Sequence, residues 1–179
     1  AMPEPLKNLY SEELIDSLCC AISVEFPAFD TVQFTSLIFD SCWDDRELKD
    51  RMKHISEVLN LCLPMPYVQS LEILKPVAEK FSGFQYMFFP GYVELYGFAE
   101  PDSDIFLASM AALEHFTKFS SSEFAVRPFL KSYPEAMMLQ MTMWASSSNE
   151  HVRRLASEGC RPRLPWAMAL PDFKQNAQP

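Results

Sequence analysis

Glycine is scarce, with four residues in 179, and what recurs between the turns is helical rather than strand spacing, so the composition argues against a sheet protein. The five cysteines, Cys19, Cys20, Cys42, Cys62 and Cys160, form neither an even set nor a CxxC pair, which speaks against a disulfide framework and a zinc knuckle alike. They read as reduced thiols. His54, His115 and His151 are scattered, with no HExxH or similar spacing, so no metal site and no cofactor are expected. No apolar run approaches the roughly 18 residues of a membrane span, and no basic region followed by an apolar stretch opens the chain. A cytoplasmic protein is the expectation. Ala1, ahead of Met2, reads as a scar of tag removal and is set aside.

Positive charge is also in short supply, at 15 basic against 24 acidic side chains and a net charge of -9. That balance opposes nucleic-acid binding only if the charges are evenly spread. Residues 1–119 hold 8 basic and 19 acidic residues, whereas 120–179 hold 7 and 5, and the tract from Arg127 to Arg163 has 6 against 3. The sequence thus confines its basic surface to the C-terminal third.

Fourteen prolines punctuate the chain, and 49% of its residues are hydrophobic, enough for one sizeable core. Ser11 to Phe26 reads as a first helix, with Leu14, Ile15, Leu18 and Ile22 on one face and Pro27 as its stop. Asp30, with Gln33 in capping-box spacing, starts a second, whose apolar residues are Val32, Phe34, Leu37, Ile38 and Trp43. Helices follow at 46–62, 67–81, 102–119, 121–131, 134–145 and 149–157. The aromatic segment 84–97, broken by Pro90 and Gly91, supports only a short helix over 92–96. Gly159 sits where a left-handed C-terminal cap belongs. Helix pairs repeating at about 35 to 45 residues predict an all-α fold, an α-α superhelix of HEAT-like repeats. It forms one domain over 2–171, followed by a polar tail at 172–179. Trp43 and Trp144 are expected in the core.

Chemistry concentrates in NEHVRRLASEGCRPRLPW, residues 149–166. Asn149 caps a helix whose first amides, with Arg153 and Arg154 on the next turn, make an anion site suited to a DNA phosphate. Arg161 and Arg163 are held on a proline-stiffened connection, and Trp166 follows at once. Taken singly, each of these features also fits a solvated surface helix or a structural stack.

The strings VRRLASEG and RPRLPWA, with LEHFTKFSSSEFAVRPF before them and LKDRMKHI and FPGYVELYG earlier, resemble the AlkC type of DNA alkylation-repair glycosylase over nearly the whole chain. The resemblance implies a superhelix that holds duplex DNA and hydrolyses the N-glycosidic bond of alkylated, cationic bases such as 3-methyladenine, 3-methylcytosine and 1-methyladenine, acting as a monomer. It implies that Glu123 and Glu158 are the carboxylates facing the sugar, with Trp166 offering its indole face to the cationic nucleotide, an attraction of about 0.5 to 2 kcal/mol. Arg127, one helical turn beyond Glu123, joins Asn149, Arg153, Arg154, Arg161 and Arg163 as the DNA-binding set. The family also uses an aspartate from a following repeat. Asp172 does not match it, so this chain is expected to be the N-terminal part of a longer protein. The rival expectation is a non-catalytic module that binds DNA or protein through the same surface, or a scaffold that uses its acidic two thirds.

Overall fold

The structure, a computed structural model, describes residues 4–159. Nine α-helices are present among them: α1 Glu12–Glu25, α2 Thr31–Ile38, α3 Leu48–Cys62, α4 Tyr67–Ala78, α5 Phe88–Tyr96, α6 Asp104–Phe116, α7 Arg127–Ser132, α8 Pro134–Ala145 and α9 Glu150–Gly159. No strand occurs in the described residues. Side-chain caps start several helices where short polar residues stand. Ser11 accepts from the Leu14 amide, Asp30 from Gln33 and Ser103 from Phe106.

The helices stack in two rows. One row is α1, α4 and α6; the other runs through α3 and α5, with α2 packed on α1 and α3. The step from Leu48 to Phe88, and from Tyr67 to Asp104, is about 40 residues, within the range of helical-repeat arrays. α8 joins α7 to α9. One continuous core runs between the rows, from Ile15, Leu18 and Ile22 through Leu71, Phe88 and Leu113 to Trp144 and Leu155. Trp43 and Trp144 belong to it, and the indole N–H of Trp144 donates to Glu114 at 2.8 Å.

Four elements differ from the sequence expectation, each for a local reason. Val32 is 79% exposed and Trp43 lies in a separate 3-10 segment, Trp43–Asp45, so α2 is shorter than its apolar residues suggested. α5 begins at Phe88, not at residue 92. Pro90 falls in its first turn, where a missing N–H breaks nothing, and Gly91 donates to the Met87 carbonyl at 2.9 Å. The helix expected from residue 121 starts only at Arg127. Ser122 is fully buried, and its hydroxyl donates to the Leu113 carbonyl at 2.8 Å, which ties residues 120–126 across the end of α6. Gly159 lies inside the last turn of α9 and is no left-handed cap; among the described glycines only Gly83 has a positive φ. A Cβ at Gly159 would stand 3.0 Å from Met141 Cε and 3.3 Å from Val126 Cγ2. The glycine is there for close approach.

Candidate active site

Glu123 sits in the turn that leads into α7, and Glu158 in the last turn of α9. The close packing of Gly159 on Val126 brings these two segments together. Arg127, only 3% exposed, extends beneath them and donates through Nη2 to the Glu158 backbone carbonyl at 3.3 Å. The two carboxyl groups are hydrogen-bonded to each other. Burial is the largest cause that raises the Glu123 pKa above the usual glutamate range. The bond to Glu158 and the charge of Glu158 raise it further, against the lowering effect of Arg127 and Arg154. Arg154, exposed, places Nε 3.6 Å from Glu158 Oε2. His151, together with Thr117, Ser120 and Ser121, completes the rim of a shallow polar depression over the pair.

This arrangement bears on two expectations. Arg127, expected in the DNA-binding set, is buried and bonded to the Glu158 carbonyl. The N-terminal amides of α9 are not open to a phosphate as expected, because Asn149 Oδ1 itself accepts from His151 at 2.9 Å and Val152 at 3.2 Å. Arg153 and Arg154 remain exposed, with Arg153 Nη1 donating to the Ser147 carbonyl at 2.8 Å. Arg161, Arg163, Trp166 and Cys160 lie outside the described residues.

Sequence reasoning missed His151, which shares a face of α9 with Arg154, Leu155 and Glu158 at intervals of three and four. That spacing was legible, but a lone histidine carries little signal. It also missed Lys49 and Lys53 of α3, which the fold sets beside the 121–128 segment along one cleft. The basic surface is therefore not confined to the C-terminal third. Their neighbour Arg51 is buried instead, donates to the carbonyls of Lys7 and Trp43, and lies 4.3 Å from the Trp43 ring centroid. Among the described residues no group of three or more His, Cys, Asp or Glu could hold a metal ion, and no helix is long and apolar enough to cross a membrane.

The raised pKa of Glu123 has a consequence for stability. An acid whose folded pKa is raised stabilises the native state fully below its unfolded value, and that contribution is lost as pH rises through the folded value. Glu123→Gln should therefore melt above the wild type at pH 8, with the gap closing toward pH 4. Melting curves across that range check the sign; a gap that widens on acidification would contradict the raised pKa.

The stacked helix pairs and the carboxyl pair held at their end define a helical-repeat protein with an acidic site on its surface. No family model matches the chain. It is 43% identical over 174 residues to "Uncharacterized protein YhaZ" of Bacillus subtilis (strain 168), covering 97% of this chain and 47% of that protein. It superposes on the Pseudomonas fluorescens alkylpurine DNA glycosylase AlkC, solved bound to DNA containing an abasic site analog, with a TM-score of 0.88 and 37% identity. That match covers 97% of this chain and 47% of the other. The chain is thus similar over nearly all of its own length to an AlkC-type protein, and it spans about half the length of the relatives it matches.

Proposed function

We propose that this chain carries part of the active site of a DNA glycosylase that hydrolyses the N-glycosidic bond of alkylated, cationic bases in duplex DNA. The observation that supports it most is the hydrogen-bonded pair Glu123–Glu158, fixed from below by Arg127, in a chain 37% identical to an alkylpurine DNA glycosylase. A base such as 3-methyladenine already carries positive charge and leaves as a neutral molecule. What the protein must stabilise is the positive charge that grows on the deoxyribose as the bond lengthens. Glu158 is the carboxyl group that faces that charge, with Glu123, whose pKa burial raises, beside it. Water then adds to the anomeric carbon, and its proton passes to a carboxylate. Arg127 fixes the backbone of residue 158, and Arg154 lies 3.6 Å from its carboxylate. 3-Methylcytosine and 1-methyladenine carry the same kind of charge and belong to the same substrate class.

Release of free base from duplex DNA containing 3-methyladenine, leaving an abasic site, tests the reading. Protein of the relatives' length should release it. Binding of the duplex without release would instead support a non-catalytic DNA-binding module. On the binding side, Arg153→Ala with Arg154→Ala should flatten the plot of log affinity against log salt by about 1 to 2 units, since each phosphate contact contributes about 0.9. An unchanged slope removes both arginines from the interface.

A further inference from the structure

Ser121 borders the depression over the carboxyl pair and also a larger cleft of about 400 Å³ between α3, α5 and the segment 121–128. Met52, Phe88, Pro90 and Phe124 make its lining mainly apolar. Lys49 and Lys53 stand on one wall, one helical turn apart on α3 and both exposed, with Lys49 Nζ 5.9 Å from the centroid of the Phe124 ring. Glu94 of α5 also lines the cleft. Burial raises its pKa, and the charges of Lys49 and Lys53 act to lower it. Among the residues lining the cleft, the cations Lys49, Lys53 and Arg127 outnumber the carboxyl of Glu94, in a chain of net charge -9.

We propose that Lys49 and Lys53 hold the phosphodiester backbone of duplex DNA along this cleft, continuing the interface from the carboxyl pair onto α3, and that Glu94 weakens the grip. The proposal rests on the DNA reading of the carboxyl pair. Charge complementarity selects the occupant, because an ammonium group on a flexible stem meets a phosphate oxygen from many directions. The apolar lining suits the deoxyribose edges between phosphates. The shared border at Ser121 makes the cleft continuous with the site where the reacting sugar lies.

The test measures the affinity of this chain for a short unmodified duplex over a series of salt concentrations. Lys49→Ala with Lys53→Ala should reduce the log–log slope by about 2 units. Lys80→Ala, at an exposed position off the cleft, should leave it unchanged. If the alanine pair loses helicity by circular dichroism, Lys49→Gln with Lys53→Gln keeps most of each aliphatic stem and gives the same reading. Glu94→Gln supplies the opposite sign, an affinity at pH 8 raised by about threefold, the scale of one exposed charge interaction. A residue that only supported the fold would not tighten binding when its charge is removed. An unchanged slope in the lysine variants, with a flattened one in the Arg153 and Arg154 variants, overturns this inference and leaves the DNA reading standing. A wild-type chain with no salt-dependent affinity for duplex overturns both.

Discussion

Glu158→Gln is expected to slow base release by about 100-fold or more while duplex affinity changes little, because the carboxylate is needed chiefly when the sugar becomes cationic. The geometry favours a clean result. Arg127 holds the backbone carbonyl of residue 158, which glutamine retains, and the side chain is the same size. The loss should therefore fall on the rate rather than on folding. Single-turnover release from a 3-methyladenine duplex, in protein of the relatives' length, gives the rate, and titration of the same duplex gives the affinity. Equal losses in both would reduce Glu158 to a contact. Glu123→Gln should cost less, since an amide can still donate a hydrogen bond to Glu158.

The second large effect concerns stability and lies far from the carboxyl pair. Gly97 closes α5 where three helices meet: its carbonyl accepts from the Ser109 hydroxyl of α6 at 2.8 Å, and that hydroxyl is 2.8 Å from the Tyr67 hydroxyl of α4. A methyl group here would overlap both hydroxyls. Burial raises the Tyr67 pKa, so its phenol stays protonated and committed to this network. Gly97→Ala should destabilise the protein by about 3 kcal/mol, combining overpacking with disturbed buried hydrogen bonds. In thermal melts that is a fall of about 6 to 12 °C. Adding Tyr67→Phe removes one of the overlapping oxygens and should recover part of the loss, a non-additive result expected of groups in contact. Strict additivity of the two substitutions would contradict the close approach.

The contrast between Gly97 and Gly159 indicates how glycine was read from sequence. A glycine after an apolar periodic run suggests a left-handed cap, yet Gly159 stays within α9 because its missing side chain lets that helix approach Val126 and Met141. Nothing within a few residues of position 159 announces that contact. Pro90 misled in the other direction, since a proline in an aromatic segment reads as a break, while in the first helical turn it costs no hydrogen bond. Ser122 explains the late start of α7: it resembles the capping serines at Ser11 and Ser103, but its hydroxyl is turned to a carbonyl of the preceding helix.

Local order was set by the sequence itself. The apolar periodicity, the caps at Ser11, Asp30 and Asn149, and the proline stops depend on neighbours within one or two helical turns, and they specify an all-α chain of paired helices. The strings around Glu123 and Glu158 also marked both carboxylates by resemblance. Tertiary structure alone decided what these residues do together. Glu123 and Glu158 are separated by most of α7, α8 and α9, and only the seating of α9 against α8 and Val126 brings their carboxyl groups together. The same packing buries Arg127, which the family resemblance implies for DNA. It also sets Lys49 and Lys53, from the acidic part of the chain, beside the 121–128 segment. Charge counted along a chain gives its total, whereas the potential that a phosphate meets depends on which distant helices share a face.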